Sequence, residues 1–143
     1  MLDDLGLIPS IEHLVLEFSE RSNIAVSLEL RSGEADFHDP LATAIYRMVQ
    51  EALTNVARHS GATEVKVAVT LDGGALRVRI SDNGKGLPSQ PGARKSYGIL
   101  GIRERAQTLG GGAEIYSPPA GGTTVEIVIP AARFQKTAVG DSA

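Results

Sequence analysis

The sequence predicts an α+β fold: a two-layer α/β sandwich with helices on one face of a mixed, mostly antiparallel sheet. Three observations carry that expectation. An amphipathic helical pattern from Leu41 to about His59 is longer and more regular than any other in the chain. Alternating strands occur in pairs that turn back through glycine, and helix and strand patterns interleave without an internal repeat.

The elements follow in order. Leu7, Ile8, Ile11, Leu14, Val15 and Phe18 recur at helical spacing; Pro9 is tolerable in a first turn, and Arg21-Ser22-Asn23 forms the exit. Ile24 to Leu30 alternates apolar and polar residues as a half-buried strand does. Asp39 then serves as an N-cap with Pro40 at the first helical position, and Leu41, Ile45, Val49, Ala52 and Val56 lead to a stop at Ser60-Gly61. Val65, Val67, Val69 and Leu71 share one strand face, Asp72-Gly73-Gly74 turns the chain, and Leu76, Val78 and Ile80 share a face of the returning strand. Residues Leu87 to Tyr97, with two prolines, one glycine and little apolar content, read as a mobile loop. From Gly98, the spacing Ile99, Ile102, Ala106, Leu109 gives a shorter helix ending at glycines 110 to 112. Strands Ala113 to Tyr116 and Thr123 to Ile129 complete the sheet, and everything after Pro130 is expected to fray.

A chain of 143 residues suits one domain. Its 42% hydrophobic and 22% charged residues are ordinary for a soluble globular protein, which sets disordered and fibrous classes aside. A net charge of -3 provides no basic footprint for nucleic acid. With no cysteine, disulfides, thiolate metal sites and a cysteine nucleophile are excluded. No apolar run approaches the length of a membrane span, and Met1-Leu2-Asp3-Asp4 lacks the basic start of a signal peptide, so no membrane contact is expected of this segment.

Chemistry concentrates in two places. At about 100° per residue, Ile45, Val49, Ala52 and Val56 form the buried arc of the long helix, with Glu51, Asn55 and Arg58 on its shoulder. Glu51 and Asn55, four residues apart, project side by side and can converge on one small object such as a hydrated metal ion. The plainer reading is a solvated face with Arg47 pairing Glu51. Asp82 follows Leu76, Val78 and Ile80 in the same two-residue phase, which turns its carboxylate towards the core. A buried carboxylate needs a donor, and the exocyclic amine of adenine is one. Asp82-Asn83-Gly84 also reads as a hairpin turn, but Gly86 and Pro88 follow with no alternating strand behind them, so the turn opens into a loop.

Thr123 lies in phase with Val125, Ile127 and Ile129, which sets its hydroxyl at the inner rim of the core; a threonine satisfied within its own strand explains it equally well. Gly98 and Gly101 bracket a helix start, where backbone N–H groups can approach phosphate oxygens closely. Neither a Walker nor a Rossmann pattern occurs in the chain.

These residues carry a family resemblance. Glu51-x-x-x-Asn55 resembles the N box, Asp82-x-Gly84-x-Gly86 the G1 box, Gly98 to Arg105 the G2 box, and Gly121-Gly122-Thr123 the last glycine box of the GHKL ATPase superfamily, whose architecture is the Bergerat fold. Arg58-His59-Ser60 and Tyr97-Gly98-Ile99-Leu100-Gly101-Ile102-Arg103-Glu104-Arg105 are similar to the histidine kinases of the nitrate-sensor and DesK type. The match runs from about Leu2 to Pro130, and Leu2 to Leu7 resembles the link from the dimerisation helices of those kinases.

The resemblance implies a division of the chain into residues 1–7 as the remnant of that linker, 8–130 as an ATP-binding catalytic domain and 131–143 as a flexible tail. It implies ATP and Mg²⁺ as cofactors. Asn55 would hold the Mg²⁺, Glu51 would act as the catalytic polar or general-base residue, and Arg58 and His59 would face the phosphates. A solvated helix end accounts for Arg58 and His59 as well. Asp82 would accept from the adenine amine, Gly86 would leave room for the ring with Gly84 beside it in the nucleotide-binding G1 box, Gly98 and Gly101 would bound the ATP lid, and Thr123 would support the adenine site through water. Arg94 and Lys95, in the lid, would be within reach of phosphate or simply solvated.

The implied activity is transfer of the γ-phosphoryl group to a histidine on dimerisation helices outside this chain, with a response regulator downstream and the cytoplasm as the compartment, whether or not the sensor is membrane-anchored. Of the three histidines, His13 has no following acid, His59 belongs to the N box, and His38-Asp39 is followed at once by Pro40, which makes it a helix cap and not the interior position an acceptor needs. A stand-alone serine kinase of the anti-sigma type and a nucleotide-gated docking module without turnover remain as alternatives.

Overall fold

The computed structural model describes residues 6–33, 35–90, 92 and 97–136. Within them, helix α1 (Leu7–Ser22) ends where Asn23 takes a left-handed conformation and donates its N–H to Ser19, which is the exit predicted by the polar triplet. Strand β1 (Ala25–Arg31) follows, then helix α2 (Leu41–Asn55), a π-helical turn (Val56–Ser60), β2 (Glu64–Asp72), β3 (Ala75–Asp82), helix α3 (Ile99–Thr108), β4 (Gly112–Tyr116) and β5 (Thr124–Pro130). The α2 helix begins one residue later than the sequence suggests. Asp39 still caps it, because its carboxylate accepts from the N–H of Thr43 at 2.9 Å and from the Thr43 hydroxyl at 2.7 Å.

The five strands form one sheet in the order β1-β2-β3-β5-β4. The β1–β2 pair is parallel and the other three are antiparallel, the mixed sheet that the sequence predicts. Asp72 pairs with Ala75 across a two-residue turn in which Gly73 and Gly74 both have positive φ, the backbone a twisted hairpin prefers.

Alternation along the strands decides which face is covered. Val65, Val67, Val69, Leu76, Val78, Ile80, Val125, Ile127 and Ile129 are all buried, as are Ile45, Val49, Ala52 and Val56 of the helical arc. They form one core with Leu7, Ile11 and Val15 of α1 and Ile102 and Ala106 of α3. Truncating a fully buried member such as Ile45 or Ile127 to alanine typically costs about 2–5 kcal/mol. The opposite face carries Lys66, Arg77, Arg79 and Glu126, with Glu29 bridging Lys66 at 3.2 Å.

The C-terminal expectation needs correction over residues 131–136, which are not frayed. Ala131 is fully buried and donates to Gly74, residues Ala132–Phe134 form a 3-10 turn, and Gln135 bridges Phe37. Lys136 closes the arrangement on Asp36, which also accepts from the N–H groups of Leu7 and Phe37. The segment is too short for its few apolar residues to register as a pattern; what holds its end is the meeting with Asp36, a hundred residues away. Residues 1–5 of the linker-like opening and 137–143 of the tail lie outside the described residues.

Candidate functional site

The functional residues meet where the end of α2 crosses the ends of β3 and β5. Ala52, Asn55, Val56, Ser60, Ile80, Asp82, Tyr97, Ile115, Thr123 and Val125 line one pocket, so the two chemical segments read from the sequence do come together. The pocket holds only about 10 Å³ of free space, room for about one water.

Asp82 ends β3 with its side chain half-buried, as its phase requires. Its Oδ1 accepts from the N–H of Gly84 at 2.8 Å and of Thr123 at 3.3 Å. Burial pushes its carboxyl above the usual carboxylate range, and those two N–H groups offset this only in part. Thr123 is buried, and its carbonyl accepts the Asp82 N–H at 3.0 Å. Gly122 has φ of 78°, and a Cβ there would be driven into the main-chain oxygen of Asp82. Glycine at that position lets the last turn lie directly against the strand end.

Gly84 meets the π-helical turn in a similar way, for a Cβ on it would strike Ser60, whose carbonyl accepts the Lys85 N–H at 2.9 Å. Gly86 is buried beside Ser117 and Gly122. Asn83, which the sequence offers only as a turn residue, is a clamp: its Oδ1 accepts from the N–H groups of Thr63 and Glu64, and its Nδ2 donates to the Thr63 hydroxyl.

On the helix side, Asn55 donates its carboxamide N–H to the main-chain oxygen of Tyr97, while its Oδ1 is buried with no hydrogen-bond partner among the described residues. Glu51 lies one turn earlier, partly exposed and without an ion pair among the described residues, so the expected alternative of pairing with Arg47 is not what occurs. Its carboxylate sits so close to Gly98 that a Cβ at that glycine would collide with it; Gly98, with φ of 62°, takes the left-handed turn that starts α3. Gly101 lies inside the first turn of α3 in open surroundings, with only Arg105 near its missing Cβ.

The π-helical turn was not legible in the sequence, and it redistributes two candidates. Closed by i→i+5 bonds, it is wider than an α-turn and advances less angle per residue. His59 therefore comes round beneath Asn55, stacked on Tyr97 with ring centroids 4.1 Å apart and planes 26° apart. Its Nε2 is buried and has no partner among the described residues. Arg58, expected to face the phosphates, instead lines a groove of about 360 Å³ between α1 and α2 with Phe18, Arg21 and Tyr46. Tyr97 is the pocket residue that sequence reasoning passed over, although a single aromatic at the end of an apolar-poor loop is a detectable signal. Within the expected lid, residues 91 and 93–96, including Arg94 and Lys95, lie outside the described residues.

A helix bearing a carboxylate and a carboxamide, set over a sheet whose strand end holds an inward acid, is the arrangement of a GHKL-type ATPase. Residues 41–133 match the family described as histidine kinase-, DNA gyrase B-, and HSP90-like ATPase, and the chain belongs to that family.

Its relatives include the signal transduction histidine-protein kinase/phosphatase DegS of Brevibacillus brevis, 37% identical over 129 residues, 90% of this chain and 33% of that protein. Sensor histidine kinase LiaS of Bacillus subtilis strain 168 is 33% identical over 129 residues, 90% of this chain and 35% of that protein. The chain thus spans about a third of the length of these relatives. Among solved structures, the ATP binding domain of PrrB from Mycobacterium tuberculosis has a TM-score of 0.71 at 22% identity, over 89% of this chain and 95% of that one. The catalytic domain of histidine kinase ThkA has a TM-score of 0.72 at 17% identity, over 89% of this chain and 93% of that one. At such identities the likeness speaks for the fold.

Proposed function

We propose that this chain is the ATP-binding catalytic domain of a sensor histidine kinase. It delivers the γ-phosphoryl group of ATP to a histidine on dimerisation helices that belong to the rest of the kinase, and the phosphoryl group passes on to a response regulator. The observation that carries the reading is the buried, unpartnered Oδ1 of Asn55 in the same pocket as the inward carboxylate of Asp82. A hard oxygen with nothing to bond is suited to Mg²⁺, which takes few protein ligands and completes its shell with phosphate and water. Asp82 at the other end suits the adenine amine, so the pocket has a base end and a phosphate end.

When bound, Mg²⁺ would supply charge neutralisation at the phosphates, with Asn55 as its protein ligand. Glu51, one turn before Asn55 and partly exposed, would orient or deprotonate the attacking group. Thr123 and the N–H groups around it hold the Asp82 carboxylate in position. His38 lies just before α2 and outside it, where its N–H is tied to Phe134, so it is no acceptor within a helix. Among the described residues no helix is long and apolar enough to cross a membrane. The ATP-bearing side of a sensor is the cytoplasm, which is where this domain would work. The relatives named as sensor kinases favour this reading over the serine kinase or a docking module without turnover.

The test is direct. The chain is mixed with Mg²⁺, γ-labelled ATP and the separately prepared dimerisation helices of its own kinase. Label on a histidine of those helices is expected. Label on a serine, or tight nucleotide binding with no transfer, would overturn the kinase assignment.

A further inference from the structure

The pocket is closed by a residue of the chain itself. Tyr97 is 6% exposed although it ends a loop, and its ring lies on His59 in the same pocket as Asp82 and Thr123. Its main-chain oxygen holds the carboxamide N–H of Asn55. Two buried polar atoms here have no hydrogen-bond partner among the described residues, Asn55 Oδ1 and His59 Nε2. About 10 Å³ of free space cannot admit a purine, and Tyr97 is the one aromatic side chain among those lining it between the end of α2 and the end of β3.

We propose that Tyr97 is a built-in plug of the nucleotide site, whose ring occupies the space the nucleotide needs and whose carbonyl fastens it to the Asn55 carboxamide nitrogen until ligand displaces it. The proposal rests on the nucleotide-site reading above and adds a regulation to it. Nucleotide competes with an intramolecular occupant, so its apparent affinity is reduced by the fraction of molecules in which the site is open. The competition has a chemical direction: the closed state leaves Asn55 Oδ1 and His59 Nε2 buried without partners, and a ligand carrying metal and phosphate would satisfy them. Gly98, next to Tyr97, takes a left-handed turn with its missing Cβ against Glu51, which brings the chain close to α2 at this point. Burial and, secondarily, the nearby Asp82 carboxylate raise the pKa of the Tyr97 phenol, in keeping with a ring held inside the pocket.

The chain has three tyrosines and no tryptophan, so Tyr46→Phe combined with Tyr116→Phe leaves Tyr97 as the sole phenol emitter. Acrylamide quenching of that emission is expected to rise roughly threefold when saturating Mg·ADP expels the ring. In calorimetry, Tyr97→Ala is expected to bind Mg·ADP about fivefold more tightly than the unaltered protein, and Tyr97→Phe, which keeps the ring, within about twofold of it. Thermal melting of both variants controls for folding. Unchanged quenching while calorimetry registers binding, or weaker binding by Tyr97→Ala, would overturn the plug and make Tyr97 a contact of the bound base. If no variant and no unaltered protein binds Mg·ADP, the nucleotide-site reading itself falls, and the plug with it.

Discussion

Asp82 and Thr123 hold each other by reciprocal bonds: the Asp82 N–H donates to the Thr123 carbonyl at 3.0 Å, and the Thr123 N–H donates to Asp82 Oδ1 at 3.3 Å. The pair joins the end of β3 to the entry of β5, and it leaves a carboxyl in a half-buried place where ionisation is disfavoured.

Because the native pKa of Asp82 is raised, the acid form is the one the fold favours. Its contribution to stability is complete below the unfolded pKa and is lost as pH rises through the folded value. Asp82→Asn keeps an acceptor for Gly84 and Thr123 and never ionises, so its melting temperature at neutral pH is expected to equal or exceed that of the unaltered protein. That advantage should vanish below about pH 4. The same variant is expected to lose at least about tenfold in Mg·ATP affinity, since one end of the base loses its charged acceptor. Melting curves at two pH values and a calorimetric titration separate the effects; a destabilised variant at neutral pH would contradict the first.

Glu51→Gln preserves shape at a partly exposed position with no ion pair to break among the described residues. Mg·ATP affinity is expected to stay within about threefold while phosphotransfer to the supplied helices falls by roughly a hundredfold or more. Equal loss of binding and transfer would show that Glu51 serves the ground state instead.

Gly122→Ala puts a methyl against the Asp82 carbonyl at a positive φ. A loss of about 2 kcal/mol or more in urea denaturation is expected, together with weaker nucleotide binding. A variant as stable as its parent would mean that the turn relaxes freely.

Asp36 governs a different pH range of stability. Burial raises its pKa, but the N–H groups of Leu7 and Phe37 and the Lys136 ammonium outweigh burial, and the carboxyl titrates below its usual range. Its stabilising contribution is present above the unfolded pKa and is lost as pH falls through the folded value. Asp36→Asn is expected to cost about 1–2 kcal/mol at neutral pH, and the difference, followed by circular dichroism, should shrink on acidification. A difference independent of pH would remove the charge from the explanation.

Much of this protein was legible in one dimension because the signals are periodic. Strand alternation set Val65, Val67 and Val69 against Leu76, Val78 and Ile80, and the same two-residue phase carried Asp82 inward; helical spacing set Ile45, Val49, Ala52 and Val56 under the sheet. Hydrophobic burial acts on every repeat of such a pattern, so its outcome can be read without knowing the neighbours. The tertiary structure alone decided the rest. Where the end of α2 meets Gly84 at Ser60 it is a π-turn, with Arg58 in the α1 groove and His59 stacked on Tyr97. Asp36 meeting Lys136, and Tyr97 meeting Asn55, are single contacts between segments far apart in the chain, made by side-chain geometry that leaves no repeat for the sequence to show.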